Sequence, residues 1–551
     1  MSAEPALLSA IRDRPDDDTP RLAYADWLDD AGDAARAEFV RVQVQLARLP
    51  DHDPTRPALE DREHDLLATH EPAWLGVPLD ALIEWEWERG FVNWVHCAEL
   101  SRYGAGLFQR HPIRGLKVVA FSPDMPTFLR DWGDWVESLE LQGWCWSGTE
   151  LDQFLANPEW GRLSDLTVMV SRGLGWLSER ADRLQFRDRI RRFTVNDAPI
   201  ELRLAEVVEF IDPAPLAELG VPYLQATAPD LRELFERPAG RSLVRLDVSD
   251  TDLPPTALSA FARPAPALAA LDLSATPLAA FALESLLASP ALTGLRELSL
   301  NRCGSAANVV RALLGSPFWR QATTLRLTDG TVPTRLIEPL FAADGPAALR
   351  TLDLSNNYLY DAGIADLCNA SWTGSLAWLG LGRNYLTDDA AERIARSGRF
   401  RHLRTLHLSY NHPRWHEEED FAGQVTDRGA VALAASPGLA ALRILTLTGV
   451  NLTAAGVDAL INGPFWRLAG LGLGDCNLTA AAVKVLAASP RLARLSFLDL
   501  SRNRALRDED LRPLAESPYL SPLLELDIHG TGASDGVREE LRRRLGRRLG
   551  A

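Results

Sequence analysis

From Leu243 onward, apolar residues return in one fixed frame. Clear copies are Leu349-x-x-Leu352-x-Leu354-x-x-Asn357-x-Leu359, Leu376-x-x-Leu379-x-Leu381-x-x-Asn384-x-Leu386 and Leu403-x-x-Leu406-x-Leu408-x-x-Asn411. Positions 4 and 6 of this frame alternate with polar neighbours, which predicts a short strand with two inward leucines and outward side chains at positions 3 and 5. Position 9 is Asn357, Asn384, Asn411 and Asn503 in four copies and Cys303 or Cys476 in two others. A small polar group there can bond backbone amides where the chain leaves the strand. A helix is expected next. Thr387, Thr426, Thr453 and Thr479 stand as N-caps before alanine-rich sequence. Ser436-Pro437, Gly463-Pro464 and Ser489-Pro490 then end each unit, since proline cannot continue a helix.

Frame starts at Val136, Leu163, Ile190, Leu216, Leu243, Leu268, Leu295, Ala322, Leu349 and Leu376 are 25 to 27 residues apart. Leu403, Leu442, Leu468, Leu495 and Leu523 continue the series with one gap of 39 residues, and Ile113 with Leu116 and Val118 is the candidate first strand. A repeat of this period and pattern resembles the leucine-rich repeats, and a strand plus a full helix in about 27 residues resembles their ribonuclease-inhibitor-like subfamily. The implied fold class is α/β: a leucine-rich repeat solenoid, a horseshoe with parallel strands on the concave face and helices on the convex face. The resemblance implies binding more than catalysis, because such arrays offer a long surface and seldom a cleft.

Residues 1–75 depart from the frame. Ala6, Leu7, Leu8 and Ile11 predict one short helix; Thr19 is expected to cap a second, with Pro20 at its first position. Tyr24, Trp27 and Leu28 share a face of that second helix. Gly32 stops it, and Asp33 opens a third helix whose apolar stripe is Phe39, Val42 and Leu46. The run from Pro15 to Asp33, followed by Arg36-Ala37-Glu38-Phe39-Val40, resembles the bacterial repeat-companion domain. That small helical domain commonly precedes repeats, and the resemblance brings no mechanism. The expected division is a small all-α domain over 1–75, a cap or transition over 76–112, repeats over 113–534 and a capping helix over 535–551. Val537, Leu541, Leu545 and Leu549 give that last helix one apolar stripe, with arginines around it; a cap accounts for them better than a nucleic-acid or membrane arm.

Composition narrows the function classes. The chain of 551 residues carries a net charge of −17, which disfavours general nucleic-acid affinity and is compatible with a basic protein partner. No apolar run approaches a membrane span, and Met1-Ser2-Ala3-Glu4-Pro5 has no signal-peptide pattern, so a cytoplasmic location and no membrane contact are expected. The five cysteines are unpaired in spacing and read as buried thiols. Only Lys117 and Lys484 are lysines, and with abundant Ala, Gly and Pro this suggests a GC-rich bacterial genome. Residues 1–72 hold 17 acidic residues against 8 arginines, read as solvated helix faces and caps.

The outward positions are mostly plain, with Asp247, Asp272, Asp353, Asp499 and Asp527 sharing position 5. The middle of the array differs. Trp378 stands at position 3, His407 at position 5, Arg383 and Tyr410 at position 8, and Tyr358 and Tyr385 follow the position-9 asparagines. Aromatic residues and arginine are enriched among residues that dominate interfaces. The same region carries an insertion over 412–423 with Trp415 and His416, and loops from a repeat edge often set specificity. Trp378, Arg383, Tyr385, His407, Tyr410, Trp415 and His416 are therefore the expected protein-binding residues. His412 and His416 with Glu417 to Asp420 could ligate a metal, but Pro413 interrupts any helix aligning them, and no metal or cofactor is expected. No nucleophile motif accompanies His407, and Gly380-x-Gly382 lies inside the repeat frame, away from any phosphate turn. Trp160, Trp319, Phe400 and Phe465 occupy a leucine position three residues before a frame start and are assigned to the core. The function expected is a non-catalytic protein-binding scaffold; the alternative is direct regulation of a partner enzyme such as a nuclease or GTPase.

Overall fold

A computed structural model describes residues 3–550 apart from 51–52, 54, 120–124, 143–149, 151–153, 156–158, 170–183, 197–202, 213, 224, 252, 255–256, 263–267, 277, 279, 290–291, 305, 331–333, 412–423 and 464–467. It forms two compact units, Met1–Ala260 with Ala265–Ala267, and Phe261–Pro264 with Leu268–Ala551. Each is an α/β solenoid segment: short parallel strands alternating with helices. Among the described residues no helix is long and apolar enough to cross a membrane.

The first unit opens with helices α1 (Glu4–Asp13), α2 (Thr19–Asp30), α3 (Ala34–Arg48) and α4 (Arg56–Leu75). Asp33 caps α3 by accepting from the Arg36 amide at 3.1 Å, as its position predicts. The α2 cap shifts by one residue: Asp18 precedes the helix and Thr19 is its first residue, its amide donating to Asp17 Oδ1 at 2.9 Å. The fourth helix has no clean stripe; it buries Pro57, Leu66, Glu71, Trp74 and Leu75. Helix α3 is covered on two sides. Val40 and Val44 join Leu8, Ile11, Tyr24 and Phe91, whereas Phe39 meets Leu66 and Trp74.

The ladder starts earlier than Ile113 suggested. Strands β1 (Leu82–Glu88) and β2 (Phe91–Cys97) form an antiparallel hairpin, helix α5 (Leu100–Arg110) follows, and β2 then pairs in parallel with β3 (Gly115–Val118). Strand β1 alternates Glu84, Glu86 and Glu88 with Ile83, Trp85 and Trp87, and such charges discourage edge pairing. The parallel series continues through β4 (Ser138–Gln142), β5 (Asp165–Met169), β6 (Arg192–Asn196), β7 (Glu218–Gly220) and β8 (Arg245–Asp247). Trp160 is fully buried beside Phe154, its indole donating to the Phe154 carbonyl at 2.8 Å, in agreement with a core role.

His111 joins the helices to this ladder. Its Nδ1 accepts from the Val92 amide at 3.3 Å, so Nε2 carries the proton that reaches the Trp74 carbonyl at 3.2 Å. Burial, and then Arg36, hold its pKa down to about 3. The unfolded chain takes up that proton near pH 6.5 and the folded protein does not until about pH 3, so stability present above pH 6.5 is lost progressively as pH falls across this window. A His111→Gln variant is expected to lose up to about 1.4 kcal/mol per pH unit of that slope. Urea unfolding at pH 6 and pH 4 checks it; an unchanged slope would refute the assignment.

The second unit carries β9 (Ala270–Asp272), β10 (Glu297–Ser299), β11 (Thr324–Arg326), β12 (Thr351–Asp353), β13 (Trp378–Gly380), β14 (Thr405–His407), β15 (Ile444–Thr446), β16 (Gly470–Gly472), β17 (Phe497–Asp499), β18 (Glu525–Asp527) and β19 (Leu549–Gly550). All pair in parallel with the central leucine in register, Leu352 on Leu379 on Leu406 on Leu445. Leu352, Leu354, Leu379, Leu381, Leu406 and Leu408 are fully buried, each contributing about 1.5–3 kcal/mol. The position-9 side chains bond backbone as expected. Asn384 donates to the Leu354 carbonyl at 2.8 Å, while Asn411 Oδ1 accepts from the Asn384 amide at 2.7 Å. Cys303 and Cys476 donate to the Leu273 and Leu447 carbonyls at 2.8 and 3.2 Å, and burial pushes both thiols up to about 12.

Thr387, Thr426 and Thr453 cap their helices; Thr479 occupies the cap position without a side-chain bond. Each of the first three is also tied to the preceding repeat. Asp361, Asp388 and Asp427 accept the amides of Thr387, Thr426 and Thr453 at 2.8 to 2.9 Å and their hydroxyls as well. At the C-terminal end the helix closes at Leu545, earlier than the leucine stripe implied. Gly546 adopts a φ of 60°, and Leu549 becomes strand β19 on β18. Arg544 donates to the Ala515, Ser517 and Leu520 carbonyls at 2.7 to 2.9 Å, and Arg548 to Pro522 at 2.9 Å. Those arginines close the preceding repeat.

Candidate functional site

Outward side chains of the second unit fall into two rows. The position-3 row across β12 to β17 reads Thr351, Trp378, Thr405, Ile444, Gly470 and Phe497. The position-5 row reads Asp353, Gly380, His407, Thr446, Gly472 and Asp499. The aspartates of this row are structural. Asp353, Asp499 and Asp527 each accept the amide two residues on, at 2.8 to 3.0 Å, and so bend the chain out of the strand. Asp247 and Asp272 do the same for Ser249 and Ser274. On β13 to β16 no outward carboxylate exists, and the four positions form an uncharged window on an acidic chain.

Trp378 and His407 meet inside that window, with ring centroids 4.9 Å apart. Gly380 makes this possible, because a Cβ there would stand 2.7 Å from the Trp378 ring. His407 Nδ1 lies 2.8 Å from Thr446 Oγ1, and Ser409 Oγ donates to the same hydroxyl at 3.0 Å. Burial lowers the His407 pKa against an opposing pull from Asp353, which favours the uncharged imidazole.

Arg383 and Tyr410 also come together, the guanidinium carbon 5.1 Å from the ring centroid. Both occupy position 8, where the backbone is left-handed: φ is 56° at Arg383 and 57° at Tyr410. The same sign recurs at Asp250, Ala275, Arg302, Asp329, Asn356, Asp475 and Arg502. The reason is stacking, since from Ala275 to Arg502 the position-8 amides donate to a carbonyl of the next repeat, Arg383 to Ser409 at 2.9 Å and Tyr410 to Thr448 at 2.6 Å. Gly449 takes this position next to Tyr410, with a φ of 81°.

Tyr385 stands elsewhere. It stacks on Tyr358 and Tyr360, both at 5.5 Å, and is part of a tyrosine stack beyond the asparagine ladder. Trp415 and His416 lie outside the described residues, as does the rest of 412–423. Among the described residues no group of three or more His, Cys, Asp or Glu is placed to hold a metal ion. Thr446, Ser409 and Gly380 were missed as members of the central patch. Their signal in sequence is the loss of aspartate at position 5 over four successive frames.

A family model described as Leucine Rich Repeat matches residues 348–370. No curated protein matches the chain. Among solved structures, an internalin from Listeria monocytogenes is similar at 19% identity and a TM-score of 0.36, covering 62% of this chain and 81% of its own. The Rad7 and Elc1 complex from yeast gives 14% identity and a TM-score of 0.30, covering 98% of this chain and 96% of the matched one. Residues 348–370 hold one strand and one helix of the ladder, and the same frame continues on either side: the chain carries a leucine-rich repeat array.

Proposed function

We propose that this chain is a non-catalytic protein-binding scaffold, and that it grips its partner at the uncharged window of β13 to β16. The observation that carries this reading is the replacement of the bending aspartate by Gly380, His407, Thr446 and Gly472 between Asp353 and Asp499. Losing four carboxylates in a row lowers the desolvation cost of covering this face. Trp378, His407 and Ile444 supply apolar and aromatic area, with Arg383 and Tyr410 at the rim. A surface already in shape loses little entropy on association. The 412–423 insertion follows Asn411 in the sequence, and within this reading its Trp415 and His416 belong to the same site. Tyr385 contributes at the tyrosine stack.

Within this reading the helices of residues 1–75 form a repeat-companion domain, 76–112 a cap, 113–534 a ribonuclease-inhibitor-like array and 535–551 a closing segment. Composition supports a bacterial, cytoplasmic protein, and the net charge of −17 leaves basic surfaces favoured outside the window.

The test compares affinity capture by the intact chain and by a Trp378→Ala/His407→Ala/Tyr410→Ala variant. Any captured protein is then titrated against both. Truncating two or three central anchors is expected to weaken binding by about 100-fold or more. An Arg396→Ala variant on the helix side is expected to change nothing. Equal affinity for the triple variant would remove the window from the site.

A further inference from the structure

The uncharged window is a strip. Its outward side chains come from positions 3 and 5, about 7 Å apart along a strand, whereas β13 to β17 stack at about 4.8 Å per step and together run for about 19 Å. A surface this narrow and this long takes one extended chain lying across the strands, with about six residues in contact at about 3.3 Å each. Apolar side chains follow the strip from end to end. Trp378 stands on β13, Ile444 is exposed on β15, and Phe497 is half-buried on β17. Between them β16 has no outward side chain, and Ile444 and Thr446 lean over it: a Cβ on Gly470 or Gly472 would stand 3.2 or 3.0 Å from them.

The two ends of the strip differ in charge. On the β12 side, Arg326 stands in register with Asp353, so opposite charges lie side by side. On the far side the outward positions of β17 and β18 are Phe497, Asp499, Glu525 and Asp527, with acids and no cation. Asp527 is engaged by His529, whose Nδ1 lies 2.8 and 2.9 Å from its oxygens. Asp499 holds the Ser501 amide with Oδ1 at 2.8 Å and leans Oδ2 over Gly474, 2.6 Å from where a Cβ would stand. Among the described residues neither Asp499 nor Glu525 makes an ion pair; Arg502 and Arg504 lie beyond these rows, at positions 8 and 10, and make none either. An aromatic ring beside two such carboxylates suits a lysine or arginine side chain, which meets the ring face and the acids together.

We propose that the occupant of the window is an extended segment of a partner protein, uncharged where it crosses β13 to β16, that places one lysine or arginine against Phe497, Asp499 and Glu525. The inference rests on the window being the binding face, and adds the shape and chemistry of what lies on it. An acidic segment is excluded at the β17 end by repulsion from these carboxylates.

Random linear peptides displayed on phage and selected on the full chain supply the probe. Selected peptides are expected to share one basic residue beside a run of uncharged aromatic or aliphatic residues. As synthetic peptides they are expected to bind an Asp499→Asn/Glu525→Gln variant about tenfold more weakly. Asparagine keeps the acceptor for the Ser501 amide, and thermal unfolding checks that this variant folds; should it not, Glu525→Gln alone is read at its exposed position. Peptides that need Trp378 and His407 but lack the basic residue, or that bind the double variant unchanged, overturn this inference and leave the window in place. A selection that yields no peptide overturns the extended occupant, while capture with the triple variant still decides the window. Peptides indifferent to Trp378→Ala/His407→Ala/Tyr410→Ala remove the window, and this inference with it.

Discussion

Replacing Asn411 with leucine is expected to destabilise the second unit by about 4 kcal/mol. The side chain is fully buried and makes four bonds to backbone. Nδ2 donates to the Leu381 and Leu408 carbonyls at 3.0 and 2.8 Å; Oδ1 accepts from the Asn384 and Leu386 amides at 2.7 and 3.3 Å. Leucine leaves all four groups in a dry interior, where each costs about 1–3 kcal/mol before relaxation. Asn411→Cys should cost roughly half as much, because a thiol can donate as Cys476 does but accepts weakly. Repeat arrays need not unfold in one step, so hydrogen exchange at Asn384 and Leu386 is the sharper measurement. Protection there that survives in Asn411→Leu would contradict the ladder's role.

Glu71→Ala is expected to destabilise the first unit by about 3 kcal/mol, with Glu71→Gln losing much less. Glu71 is 2% exposed, and its Oε1 accepts from the indole nitrogens of both Trp85 and Trp87 at 2.9 Å. Alanine removes the acceptor for two partly buried donors and opens space between α4 and the β1–β2 hairpin. The neighbourhood magnifies the loss. The buried Arg36 guanidinium lies 4.9 Å from the Trp87 ring centroid and 5.0 Å from that of Trp74, so a displaced indole also removes cation–π contact. Near-UV circular dichroism during thermal unfolding reports on these tryptophans. If alanine and glutamine variants melt together, the carboxylate is not the anchor.

Both effects show where sequence reasoning reached and where it stopped. The inward leucines, the position-9 asparagines and the threonine caps were legible, because each role is set within one repeat by strand alternation or by the first turn of a helix. Trp160, Trp319 and Phe400 are assigned to the core by their place in the frame, and all three are buried. Phe465 lies outside the described residues. Trp378 and His407 stand at the outward positions that strand alternation predicts, whereas their contact beside Gly380 and the Thr446 brace depend on neighbouring repeats. Helix α4 escaped because its buried residues follow no helical stripe, and the β1–β2 hairpin because its apolar side faces helices that come before it in the chain.

The amino-acid sequence by itself determined the repeat, its period, the alternation of strand and helix, and the leucines that form the interior, since all of these follow from side-chain spacing along one turn of chain. Only the tertiary structure decided the left-handed backbone at Arg383 and Tyr410, the Asp388–Thr426 tie and the recruitment of Leu549 into a strand. Those features depend on partners 23 to 38 residues away along the chain, and no local pattern records which carbonyl or carboxylate the neighbouring repeat will present.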